Sequence, residues 1–136
     1  DNTFRRSYGR KIFGVKYKRE IHAVMCFAYT NEIPKSVEEL DIMSQDAHLQ
    51  STLRGQNVGK IAIAYTVWSK KRGGGKLIVK EVFNKIKKSN HLNRLVTLSP
   101  LTDMAYKFHI KNGAKLISVN ETTQNFEYKV IKNKKY

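Results

Sequence analysis

Residues 59–114 read GKIAIAYTVWSKKRGGGKLIVKEVFNKIKKSNHLNRLVTLSPLTDMAYKFHIKNGA, and the reading of this stretch decides the fold. Ile61 to Trp68 holds one residue outside the apolar and aromatic set, Thr66. That predicts a strand covered on both faces rather than an amphipathic edge. Lys70, Lys71 and Arg72 follow, then Gly73, Gly74 and Gly75. From Leu77 the period changes. Val79, Val82, Phe83 and Ile86 recur at helical spacing, with Lys80, Lys85, Lys87 and Lys88 turned outward. A short β-rich run, Arg94–Ser99, comes next and is closed by Pro100. A second helix is expected over residues 101–112, with Ser99 or Thr102 as cap and Gly113 at C′; Leu101, Met104, Ala105 and Phe108 form its apolar stripe.

A strand that breaks at glycines just before a helix presents unpaired backbone N–H groups at the positive end of a helix dipole. That arrangement binds phosphates, and the glycines let a ligand approach the backbone. Three cationic side chains beside the loop add a screened attraction for the same anion. The competing reading is a glycine-rich turn beside a solvated lysine cluster. The spacing matches neither the GxxxxGK[ST] of a Walker loop nor the GxGxxG of dinucleotide folds.

In its order of elements this stretch resembles the GNAT superfamily of N-acetyltransferases. The family's loop, Gln/Arg-x-x-Gly-x-Gly/Ala, aligns with Lys70-Lys71-Arg72-Gly73-Gly74-Gly75; both glycine positions match and Lys70 stands in place of Gln or Arg. The family's second pattern, Asn-x-x-Ala-x-x-x-Tyr-x-x-x-Gly-Phe, aligns with residues 102–114. Ala105 and Gly113 match, while Thr102 replaces Asn, His109 replaces Tyr and Ala114 replaces Phe.

The resemblance spans residues 11–131 and implies an α/β domain. Its mixed, mostly antiparallel twisted sheet would be flanked by helices and splayed around an acetyl-CoA (coenzyme A) site. It implies that Lys70, Lys71, Arg72, Gly73, Gly74, Gly75 and Lys76 bind the pyrophosphate and that Thr102 lies at the cofactor. Backbone groups at Thr66, Val67 and Trp68 would hold the pantetheine and polarise the thioester carbonyl as an oxyanion hole does. The reaction implied is acetyl transfer to an amine of a small molecule or a protein. His109 would protonate the leaving thiolate as an imidazolium, or would merely pack beside the cofactor channel. Tyr106, on a neighbouring face, is the substitute donor. The acceptor amine needs a base, and Ile61–Trp68 holds no Glu. His22 and Glu32, which flank the preceding strand, are the candidates; Glu32 also reads as a solvated salt-bridge residue.

The 136 residues are 40% apolar, enough for one domain with its own core. The net charge of +15 is uneven. Residues 1–20 hold seven Lys/Arg against two acids, residues 21–57 two against five, and residues 58–136 seventeen against four. Part of the excess can steer an anionic cofactor. The rest serves solubility or an acidic partner, a nucleic acid or a charged transfer RNA among them. A non-catalytic module that keeps the fold is the third reading. No apolar run is long enough for a membrane span. The single cysteine, Cys26, sits in an apolar run and reads as a buried thiol, compatible with a reducing cytoplasm. The histidines show no metal-ligand spacing.

Residues 1–10 read as a basic arm and residues 132–136 as a basic tail. Lys11–Lys18 and Ile21–Thr30 read as two antiparallel strands joined near Arg19 and Glu20. Only ten residues precede them, so the strand and two helices that open the family's fold are expected to be missing, shortened or supplied otherwise. Residues 36–57 read as an acidic helical insertion. Ser36 to Glu39 forms a capping box, a helix over 36–47 turns Val37, Leu40 and Met43 inward, and a loop covers 48–58. Lys115–Asn120 and Asn125–Ile131 read as a closing hairpin, with Phe126, Tyr128 and Val130 alternating.

Overall fold

The computed structural model describes residues 11–17, 20–55, 59–69, 74–89 and 92–130, with 11–22, 66–69 and 74–75 described by their backbone. The expected arm and tail, together with Lys70, Lys71, Arg72, Gly73 and His91, lie outside the described residues. In chain order the elements are β1 (Lys11–Tyr17), β2 (Glu20–Thr30), α1 (Val37–Arg54), β3 (Ile61–Ser69) and α2 (Gly74–Lys88). These are followed by β4 (Arg94–Thr97), β5 (Ser99–Pro100), α3 (Asp103–Lys111), β6 (Lys115–Val119) and β7 (Thr123–Tyr128).

The near-continuous apolar run of β3 places it inside a seven-stranded sheet, between β2 and β4. β4 and β5 both pair with one edge of β7, and β6 pairs with the other. Every pairing is antiparallel except β3 with β4, which needs a crossover; α2 supplies it. The parallel pairing runs from Ile61↔Arg94 to Ala64↔Thr97, and Leu98 N donates to Ala64 O at 2.8 Å. Beyond that point β3 stays with β2 as far as Ser69, while the other strand turns to β7. The two strands therefore part. At the same level β3 carries one extra residue, because Cys26 pairs with Thr66 and Phe27 with Ala64, so Tyr65 has no opposite number in β2. Such a bulge re-aims the local backbone groups.

Each face of the sheet has its own core. On one, Ala23, Met25, Phe27, Ala62, Leu95, Phe126 and Tyr128 pack with Ile78, Val79, Val82 and Ile86 of α2. The expected stripe is borne out and widened by Ile78, while Phe83 is partly buried at its edge. On the other face Ala28, Ile61, Ile63, Val96 and Leu98 pack with Leu40 of α1. Each fully buried aliphatic side chain contributes about 1.5–3 kcal/mol.

α1 departs from expectation in length and in facing. Ser36 caps it as read, with Glu39 N donating to Ser36 Oγ at 3.1 Å, but the return bond of the expected box shifts by one residue: Glu39 Oε1 accepts from Lys35 N and not from Ser36 N. The helix continues past residue 47 to Arg54 because nothing between His48 and Arg54 breaks it. It stops at Gly55, whose φ of 64° is left-handed. Leu40 is buried, but Val37 is 59% exposed, since a first-turn residue lies clear of the sheet. Buried amides fix where the helix begins. Asn125 Nδ2 donates to Pro34 O and Thr97 O at 3.0 and 2.9 Å, and Thr123 Oγ1 donates to Lys35 O at 2.6 Å. Among the described residues no helix is long and apolar enough to cross a membrane.

Candidate functional site

A cavity of about 320 Å³ opens where β3 and β4 part. Ala64 and Tyr65 come from β3, Leu98 to Pro100 from the diverging strand, and Thr102, Met104, Ala105, Phe108 and His109 from α3. α3 is held over it from its first turn. Ala105 N donates to Thr102 Oγ1, so Thr102 rather than Ser99 is the cap, and Gln124 Nε2 of β7 donates to both Pro100 O and Thr102 O at 3.0 Å. These bonds set the rotation of the helix, which differs from the expected one. Leu101 and Met104 are exposed, Met104 by 82%, and His109 is the buried residue of α3. The helix is also shorter than expected, Asp103–Lys111 with Asn112 as its C-cap, and Gly113 follows at C′ with φ 94°.

His109 is packed among aromatic rings. The centroids of Phe126, Phe108 and Tyr128 lie 4.9, 5.0 and 5.8 Å away. Its Nδ1 is 2.7 Å from the Tyr128 hydroxyl. Burial disfavours the charged ring and lowers its pKa to about 4. The imidazole is neutral at pH 7, which corrects the expected imidazolium donor. Burial also pushes the Tyr128 phenol up, so it keeps its proton. Tyr128 is 5% exposed, and His109 is its hydrogen-bond partner among the described residues. With the phenol donating to Nδ1, Nε2 carries the imidazole proton, on a ring that lines the cavity.

Tyr128 also lines a second cavity, of about 480 Å³, formed by α2, the end of α3 and the end of β7. Lys76, Lys80, Lys111 and Lys129 surround it, with Val79 and Phe83 against one wall. The apolar cavity and the lysine-lined cleft thus meet at the His109–Tyr128 pair.

The structure separates the other expected site residues. Thr102 lines the apolar cavity and Lys76 the basic cleft. Tyr106 is half-exposed, lies with its ring tilted 6.0 Å from Phe126 and lines neither cavity. His22 and Glu32 sit at opposite ends of β2. Glu32 is exposed beyond Thr30, at the end where β3 begins, and the side chain of His22 lies outside the described residues. The backbones of Thr66, Val67 and Trp68 continue β3 past its last pairing with β4. Gly74 and Gly75 form the first turn of α2, so the helix starts earlier than Leu77. Tyr128 was missed as a partner of His109, since the two stand 19 residues apart and no sequence spacing links them.

No protein-family model matches the chain, and no curated protein matches it in sequence. Solved structures do match it in fold. The loading GNATL domain of CurA from Lyngbya majuscula superposes with a TM-score of 0.65 at 11% identity, over 95% of this chain and 82% of that one. A GNAT-like decarboxylase, GphF, in complex with isobutyryl-CoA gives 0.69 at 9% identity, over 95% and 81%. The N-acetyltransferase PseH of Campylobacter jejuni, in complex with acetyl coenzyme A, gives 0.58 at 14%, over 94% and 73%. The chain has the GNAT fold, the mixed and mostly antiparallel α/β sheet that the sequence implied.

Proposed function

We propose that the protein binds a coenzyme A thioester, acetyl-CoA being the reference donor, and transfers the acyl group to an amine of a small molecule or protein. The observation that carries this reading is the neutral His109, fixed by Tyr128 and lining an apolar cavity where β3 and β4 diverge. In transfer the amine nitrogen attacks the thioester carbonyl carbon, the C–S bond breaks, and the proton lost by the amine ends on the sulfur. Negative charge grows first on the carbonyl oxygen and then on sulfur. A neutral imidazole that offers Nε2–H stabilises such charge by donating a hydrogen bond in a water-poor site. Its low pKa makes it a poor proton reservoir at pH 7, so His109 acts as an electrophilic donor rather than as an imidazolium acid. The lysine-lined cleft and the first turn of α2 suit the cofactor's phosphates. The thioester ligands of GphF and PseH support the cofactor class.

The test is calorimetric binding of acetyl-CoA at two salt concentrations, with ATP and a short RNA as polyanion controls, followed by thiol release over a panel of amines. Acetyl-CoA should bind in preference to ATP and keep its affinity in salt. His109→Ala should lower turnover about a hundredfold while the KM for the donor stays within a few-fold. Equal, salt-sensitive binding of every anion would sink the proposal and favour nucleic acid as the partner. Tight binding with no thiol release on any amine would leave a non-catalytic GNAT-fold module.

A further inference from the structure

Several polar atoms of the apolar cavity's wall are already engaged within the protein. Ser99 Oγ donates to Thr97 Oγ1 at 2.8 Å, and Thr102 Oγ1 accepts from Ala105 N. The carbonyls of Pro100 and Thr102 accept from Gln124, and that of Ala64 accepts from Leu98 N. His109 Nδ1 is held by Tyr128. Among the described residues, none that lines the cavity is Asp, Glu, Lys or Arg. An ammonium acceptor would find no countercharge here, whereas Ala64, Leu98, Met104, Ala105 and Phe108 offer an aliphatic chain an apolar bed.

Size points the same way. A volume of about 320 Å³ equals about ten water-sized groups at about 30 Å³ each. The sulfur, carbonyl and methyl of an acetyl thioester with the adjoining ethylamine unit take about seven of these, leaving about three. We infer that the site takes a short aliphatic acyl thioester of about four or five carbons in preference to acetyl. The inference rests on reading this cavity as the thioester site and concerns only what fills it.

The experiment compares calorimetric affinities of coenzyme A, acetyl-CoA, isobutyryl-CoA and decanoyl-CoA for the full chain. Isobutyryl-CoA should bind about tenfold tighter than acetyl-CoA, the effect of burying two further methyl-sized groups. Decanoyl-CoA should gain nothing over isobutyryl-CoA. Ala105→Leu, which fills the cavity from α3, should bring the isobutyryl-to-acetyl ratio toward one. Phe108→Ala, which enlarges it, should move the preference toward longer chains. A general loss of folding would move both variants the same way, so their opposite shifts identify the cavity. Equal binding of acetyl- and isobutyryl-CoA overturns the inference and leaves the cofactor reading standing. Failure of all four ligands to bind overturns both.

Discussion

The two cavities that meet at the His109–Tyr128 pair differ in most of what a ligand would feel. One has no charged residue among its described lining and holds an imidazole whose pKa burial has dropped to about 4; the other is ringed by Lys76, Lys80, Lys111 and Lys129, all exposed. The apolar cavity is cut into the sheet at the strand separation, where its shape follows from backbone pairing. The basic cleft lies between helix ends and a strand end, where long solvated side chains set the field. The first should therefore select by shape and hydration, with little response to salt. The second should select chiefly by charge and weaken as ions screen it. A molecule with a polyanionic head and an apolar thioester arm would use both.

The largest expected effect is on the apolar side and appears as a pH dependence of stability. His109 has a folded pKa of about 4, against 6.5 unfolded. As pH falls through 6.5 the unfolded chain takes up the proton first, so the stabilisation is fully present above 6.5 and is lost between 6.5 and 4. The difference of 2.5 units corresponds to about 3 kcal/mol. Urea unfolding at pH 7 and pH 4.5 should show this loss, and His109→Gln should flatten it by most of that amount. An unchanged pH slope in the variant would mean that the ring is solvated in the folded protein.

A smaller effect is expected on the basic side. Combined replacement of Lys76, Lys80, Lys111 and Lys129 by Ala should weaken coenzyme A about tenfold at low ionic strength and less at high. The isobutyryl-to-acetyl ratio should not move. If that ratio changed with the lysines, the two cavities would not divide the ligand as described.

The smallest effect serves as the control for both. Arg94 Nε and Nη2 donate to Glu127 Oε2 and Oε1, each at 2.7 Å, tying β4 to β7 without lining either cavity. Pairing with Glu127 keeps the guanidinium firmly charged. The pair is part-exposed, so Glu127→Gln should cost less than about 1 kcal/mol in denaturant unfolding and leave ligand preference unchanged.

Much of the scaffold was legible because it rests on local rules. The apolar run of β3 declared an inner strand, the 3.6-residue spacing of Val79, Val82 and Ile86 declared the core face of α2, and Ser36 and Thr102 declared caps that the structure contains. Local rules misled where tertiary bonds outvoted them. The apolar letters of α3 favoured Leu101 and Met104 as inward residues, yet Gln124 grips the start of that helix and turns His109 inward instead. Residues 48–58 read as a loop from Gly55, Gln56 and Asn57, while the helix runs on through Ser51, whose side chain donates to Ala47 O, and stops only at Gly55. Of the residues that line the apolar cavity, the family pattern singles out His109 and Thr102, but not the state of the imidazole.

By itself the sequence determined the order of strands and helices and the concentration of lysine in the second half of the chain. Periodicity, capping and charge act over a few residues and can be read along the chain. Only the tertiary structure decided that β3 bulges at Tyr65 where it leaves β4, that Tyr128 reaches His109 across 19 residues, and that Lys76 and Lys80 of α2, Lys111 of α3 and Lys129 just past β7 surround one cleft. Hydrogen bonding and desolvation depend on which groups share a volume. That is fixed by how the sheet and helices cross, and no local pattern encodes it.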